Sequence, residues 1–257
     1  MSRARVHDLR RAVGIARRYA AGSRFAARAR GMPGPSGAHA GTEANPLEAL
    51  FDAHTEGPGI FKWRHYFDIY HRHLAKFVGR EVNLCEVGIY SGGSVSMWRE
   101  YLGPASQIYG VDIEEACRVY AGEGVDVFIG DQGDREFWRS FVAKVPPLDV
   151  VIDDGSHQTD DQILTLESLL GHLRPGGVYI VEDVHARHHG FPVYLAGLAG
   201  HLNEVNSQTT ALQRAIGSVH LYPSLAVLER PQDPAWRLEA DRRGTVWQPF
   251  GAGEKGI

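Results

Sequence analysis

From residue 82 onward, short apolar runs alternate with stretches of helical periodicity. The runs are Val82–Val87, Gln107–Ile113, Val125–Ile129, Leu148–Ile152 and Gly177–Val181. Between them, apolar residues recur at helical spacing near 94–102, 115–120, 134–143 and 159–173. Strands separated by helices at this spacing predict βαβ units and a doubly wound, mostly parallel sheet. The pattern then breaks. Ser218–Tyr222 and Leu225–Glu229 are apolar runs separated only by Pro223-Ser224, which predicts a tight hairpin in place of a crossover.

Ahead of the sheet the pattern divides into three parts. In residues 1–30, Val6, Leu9, Val13, Ala16 and Ala20 fall on one helical face among arginines, so a basic amphipathic helix is expected. Residues 31–46 lack periodicity and are rich in Gly, Pro and Ala, as a flexible linker is. The folded domain is expected over 47–231. It opens with a helical stretch over 47–80, broken by Gly57-Pro58-Gly59, that packs on the core or covers a ligand. Residues 232–257 read as a polar tail.

Composition narrows the classes. The chain has 257 residues, 43% hydrophobic and 23% charged, which excludes a disordered or fibrous protein. No apolar run reaches the roughly 18 residues of a membrane span, so stable insertion is not expected. Two cysteines, Cys85 and Cys117, make no disulfide framework, and a reducing cytoplasm is the expected location. The net charge of −4 argues against a nucleic-acid binder. It conceals nine arginines against the single acid Asp8 within residues 1–30. A secretory signal would need a sustained apolar stretch there. The basic helix suits a partner subunit, hence a homo-oligomer, or a membrane surface.

In an open parallel sheet, ligands lie beyond the carboxyl ends of the strands. Strand one ends in Glu86-Val87-Gly88-Ile89-Tyr90-Ser91-Gly92-Gly93-Ser94, whose glycines permit a tight turn and close backbone approach; Ser94 is placed to cap the next helix. The adjacent glycines depart from the GxGxxG of dinucleotide folds. Asp112, at the end of strand two, is placed to grip ribose hydroxyls, a device shared by nicotinamide enzymes. Asp131 and Gln132 follow strand three, with Asp134 as a helix cap. Asp153 and Asp154 end strand four, while Glu182 and Asp183 end strand five. Four carboxylates in one crevice repel one another and require positive charge. Hard oxygen donors without cysteine favour Mg²⁺, with Mn²⁺ or Ca²⁺ also suited. His157 shares the loop with Asp154 and is a candidate base. His185, His188 and His189 do not make a familiar zinc spacing and read as loop or acceptor-contact residues.

Through EVGIYSGGS, YGVDI, GDQGD, VIDDGSHQ, YIVEDVH and the hairpin SVHLYPSLAVLER, in that order, the chain resembles class I S-adenosylmethionine-dependent methyltransferases. More narrowly, it resembles the metal-dependent sugar O-methyltransferases of macrolide and rhamnoside tailoring, the mycinamicin O-methyltransferase group. The resemblance implies a seven-stranded Rossmann-like sheet with an antiparallel last strand. It implies that Glu86, Gly88, Tyr90, Ser91, Gly92 and Ser94 hold the methionine part of S-adenosylmethionine and Asp112 its ribose. Asp131, Gln132 and Asp153 would border the cofactor. Asp154, Glu182 and Asp183 would hold Mg²⁺, and His157 would be the general base. The implied acceptor is a hydroxyl of a saccharide or glycoside. A catechol-like phenol, or a nucleotide-dependent oxidoreductase, is the alternative reading of the same loops.

Overall fold

The computed structural model describes residues 3–30, 45–184, 190–241 and 243–244, with side chains described from residue 13 onward. The chain divides into two units, Met1–Glu43 and Ala44–Ile257. The described residues of the first form α1 (Arg3–Ala29), on which Val13, Ile15, Tyr19 and Phe25 are exposed. The expected linker lies largely outside the described residues, as does the tail beyond 244, while His185, His188 and His189 lie outside them altogether.

The second unit opens with α2 (Pro46–Ala53). Asn45, expected in the linker, is its N-cap, accepting from the Leu47 and Glu48 amides at 3.0 and 3.4 Å. Pro46 follows at the first helical position, where its missing N–H costs nothing. The next helix, α3 (Tyr66–Leu74), begins only at Tyr66, so the residues after the Gly57–Gly59 break run as irregular chain.

The sheet comprises β1 (Val82–Val87), β2 (Ser106–Asp112), β3 (Val125–Ile129), β4 (Leu148–Asp153), β5 (Leu173–Val181), β6 (Ser218–Tyr222) and β7 (Leu225–Glu229). Its order is β3-β2-β1-β4-β5-β7-β6. β1 to β5 are mutually parallel, and β7 is antiparallel to both neighbours. The expected hairpin is present, with Ser224 at φ 57° in its turn. β5 starts four residues before the apolar run. A register irregularity opposite Leu148–Val150 accommodates Pro175 and Gly176, residues that read as a break in sequence.

The pleat sends alternate residues to opposite faces. In register, Leu84, Ile108, Val150 and Val178 join α2, α3 and α4 (Gly93–Leu102) in one core. Cys85, Tyr109, Val151 and Tyr179 join α5 (Arg135–Val142), α6 (Thr159–Leu169) and α7 (Gly190–Leu202) in the other. Because both faces are covered, the central strands read as continuous apolar runs. α7 and α8 (Ala211–Ala215) were not foreseen from periodicity. Gly197 and Gly200 weaken the helical signal of α7, whereas α8 is five residues held by a Thr210/Gln213 capping box.

Candidate active site

Connections leave β1 toward β2 on one side and β4 toward β5 on the other, so the strand order reverses between β1 and β4. A crevice forms at such a switch point. It holds a pocket of about 630 Å³. The pocket is lined by the loop after β1, by Asp112 and Ile113, by Gly130 to Gln132, by Asp154 to His157, by Glu182 and Asp183, and by Gly59 to Trp63.

The loop after β1 is shaped by its contacts. Gly88 has φ +83°, and a Cβ there would sit 2.1 Å from the Asp154 carbonyl oxygen. Its glycine is therefore required by the neighbouring strand end. Gly92, also left-handed at φ +75°, is the N-cap of α4, so the expected capping role of Ser94 is corrected. Ser94 donates instead to Glu86 Oε2 at 2.9 Å, and Trp98 Nε1 donates to Glu86 Oε1 at 3.0 Å. Burial raises the Glu86 pKa, although Lys62 and the Trp98 hydrogen bond pull it down.

Of the residues expected at the cofactor, Gly88, Tyr90, Ser91, Ser94, Asp112, Asp131 and Gln132 line the pocket. Glu86, Gly92 and Asp153 do not, because they lie behind its wall. Asp112 Oδ2 accepts from the Tyr90 amide and Oδ1 from the Glu114 amide, both at 2.9 Å, which fixes the carboxylate at the strand end. The Gln132 amide is a brace: Nε2 donates to Asp153 Oδ1 at 2.7 Å, and Oε1 accepts from the Ser156 amide at 2.8 Å. Asp153 is fully buried and its pKa is pushed up to about 7, mainly by burial, with the Gln132 hydrogen bond opposing.

The other acids face the pocket. Asp154 Oδ1 and Asp183 Oδ2 each lie 4.0 Å from His157 Nε2. Their remaining oxygens are held by donors from the segment preceding α3 and from its first residue, Tyr66. Lys62 Nζ donates to Asp154 Oδ2 at 2.6 Å and to Glu182 Oε1 and Oε2 at 2.9 Å each. Trp63 Nε1 donates to Asp183 Oδ1 at 3.1 Å, where the Tyr66 hydroxyl also lies, at 2.8 Å. The Lys62 side chain is only 3% exposed. Burial works against its charge, but Glu182, Asp154 and Glu86 outweigh burial and raise its pKa. Burial also pushes Glu182 up, against the pull of Lys62.

The positive charge demanded by the four carboxylates is thus supplied in part by Lys62, which the sequence analysis did not single out. The signal was present as a basic and aromatic cluster, Lys62 to Tyr66, shortly after Gly57-Pro58-Gly59 interrupts the helical pattern. The donor set still suits a hard divalent cation. One oxygen of Asp154 and one of Asp183 share an open space with an imidazole nitrogen, all within 4.8 Å of one another. Glu182 lies deeper, engaged by Lys62.

No protein-family model matches the chain. Among curated proteins, it is 30% identical over 201 residues to the 8-demethyl-8-α-L-rhamnosyl tetracenomycin-C 2′-O-methyltransferase of Streptomyces olivaceus, covering 67% of this chain and 52% of that protein. It is 33% identical over 172 residues to the demethylmacrocin O-methyltransferase of Streptomyces fradiae, covering 64% of this chain and 40% of that protein. The chain thus spans about half or less of the length of these relatives. Among solved structures, it resembles the MycE methyltransferase of the mycinamycin biosynthetic pathway, in complex with Mg, S-adenosylhomocysteine and mycinamycin VI. The TM-score is 0.62 at 28% identity, over 73% of this chain and 53% of that one. With sheet order, strand-end loops and these likenesses in agreement, the chain has the class I methyltransferase fold and is a homologue of sugar O-methyltransferases from macrolide and tetracenomycin pathways.

Proposed function

We propose that this chain is an S-adenosylmethionine-dependent, divalent-metal-dependent O-methyltransferase that methylates a sugar hydroxyl of a small saccharide or glycoside. The observation that carries the reading is the convergence of Asp154, Asp183 and His157 on one space, in a pocket bordered by the loop after β1 and by Asp112. The named activities of the relatives support it. The exposed faces of Phe61 and Trp63, 84% and 51% accessible at the pocket, suit the apolar face of a sugar ring or aglycone.

When bound, the cofactor supplies an electrophilic methyl group on sulfur, and Mg²⁺ held by Asp154, Glu182 and Asp183 supplies charge that acidifies an adjacent hydroxyl. The chain's own groups do the rest. Tyr90, Ser91 and Asp112 hold the cofactor end of the pocket, with Asp112 fixed by two backbone amides for contact with ribose hydroxyls. His157 Nε2 faces the same space as the two aspartates and takes the acceptor proton. A sugar hydroxyl is a far weaker acid than an imidazolium, so an unaided imidazole deprotonates it poorly, which is why the carboxylate cluster and the charge it would hold belong beside His157.

The proposal includes a reducing cytoplasmic location, consistent with two free, buried cysteines. Among the described residues, no helix is long and apolar enough to cross a membrane. It also includes a homo-oligomer, since α1 leaves Val13, Ile15 and Phe25 exposed. The test is calorimetric titration with S-adenosylhomocysteine, with Mg²⁺ and again with EDTA, followed by transfer of labelled methyl to saccharide, glycoside and catechol acceptors. Cofactor binding with label on a sugar confirms the reading. Absence of binding in both arms overturns it, and label on catechols alone overturns the sugar assignment.

A further inference from the structure

The carboxylates that suit a metal are already served by a cation belonging to the chain. Lys62 Nζ contacts both oxygens of Glu182 and one of Asp154, and lies 3.8 Å from Glu86 Oε1. It is almost entirely buried, whereas the Lys76 side chain, paired with Glu229 elsewhere in the domain, is 44% exposed. A lysine side chain loses considerable rotamer freedom and hydration on burial, and here the acids it touches offset that loss. It leaves Asp154 Oδ1 and Asp183 Oδ2 facing the pocket and keeps Glu182 turned to itself.

Building on the metal-dependent reading above, we propose that Lys62 is a positioning residue that sets the affinity of the strand-end carboxylates for a divalent cation, by competing with that cation for Glu182 and Asp154. A dication and an ammonium group cannot both neutralise the same oxygens at full strength. While Lys62 holds Glu182, only Asp154 and Asp183 offer oxygens to the pocket; a cation that displaces Lys62 would gain Glu182 as well. The competition has a mechanical side. Lys62, Trp63 and Tyr66 together donate to three of the four strand-end acids, so the aromatic wall around Phe61 and Trp63 is tied to the metal cradle. Release of Lys62 loosens one end of that wall.

The experiment measures Mn²⁺ binding by electron paramagnetic resonance on the full chain, with S-adenosylhomocysteine binding as the check on folding. Lys62→Met is expected to tighten Mn²⁺ binding on the order of 10–100-fold, the effect of removing a unit charge a few ångströms from a dication when solvent and the surrounding acids screen most of the direct repulsion. Lys62→Arg should stay within about threefold of wild type, and Glu182→Gln in the Lys62→Met background should cancel the gain. A merely structural lysine would not give tighter binding on removal. Equal affinity in wild type and Lys62→Met overturns the competition while leaving the metal reading intact. Absence of Mn²⁺ binding to both overturns the two together. A second measurement needs no variant. On the wild-type chain, Mn²⁺ should increase acylation of Lys62 by an amine reagent relative to Lys76, read by mass spectrometry. Unchanged labelling of Lys62 at Mn²⁺ saturation overturns the proposal.

Discussion

Replacing Gly88 by alanine tests how the crevice is built. The residue lies at φ +83°, where an L side chain costs about 1–2 kcal/mol. The added Cβ would meet the Asp154 carbonyl oxygen at 2.1 Å, its carbon at 2.7 Å and Gly155 Cα at 2.8 Å. These are backbone atoms of the next strand end, pinned where the Asp154 amide donates to the Val87 carbonyl at 2.9 Å. The clash must therefore be relieved by parting β1 from β4, an overpacking cost of about 1–3 kcal/mol. Lost freedom of the unfolded chain returns roughly 0.4–1 kcal/mol, leaving a net destabilisation of about 2–4 kcal/mol. At about 2–4 °C per kcal/mol for a domain of this size, Tm should fall by roughly 5–15 °C. The same displacement moves Asp154 and the loop that lines the pocket, so S-adenosylhomocysteine affinity should fall at least about tenfold by calorimetry. Gly122→Ala is the matched control, since its Cβ meets nothing within 4 Å, and should stay within about 0.5 kcal/mol. If Gly88→Ala melts within about 1 °C of wild type and binds as tightly, the packing of β1 on β4 is not what the glycine serves.

Other consequences follow from the same geometry. His157→Ala should lower kcat by about 10²–10⁴-fold while leaving S-adenosylhomocysteine affinity unchanged; an unaltered kcat removes it as the base. Asp154→Ala should abolish dependence on added Mg²⁺, and tight Mn²⁺ binding by that variant would refute its place among the ligands. Asp112→Ala should weaken S-adenosylhomocysteine about 10–100-fold, the worth of one or two charge-assisted hydrogen bonds, and an affinity within twofold of wild type would sink the ribose assignment. The pKa of His73 is lowered, because burial disfavours its charge more than the Glu229 hydrogen bond favours it. A depressed histidine stabilises the fold above its unfolded value near 6.5, and this is lost as pH falls through the lower folded value. The Tm gap between wild type and His73→Gln should therefore narrow from pH 7 to pH 5, and a gap that widens refutes the assignment.

The strands, the parallel sense of β1 to β5, the closing hairpin and the strand-end loops that line the crevice were all legible in the sequence. These features are local: period-2 and period-3.6 patterns, turn residues, and acids placed directly after apolar runs. The sequence also required a positive charge beside Asp154, Glu182 and Asp183, since like charges converging at strand ends repel. What supplies that charge emerged from long-range packing. Lys62 reaches Glu182 across 120 residues of sequence, and Tyr66 reaches Asp183 across 117, contacts with no local periodicity to announce them. Tertiary packing likewise separated Asp153 from Asp154. The pleat sends adjacent residues to opposite sides, burying Asp153 against Gln132 while Asp154 faces the pocket. It also placed a second constraint on Gly88, whose missing side chain makes room for the backbone of the next strand end, a steric demand that exists only once β1 and β4 lie side by side.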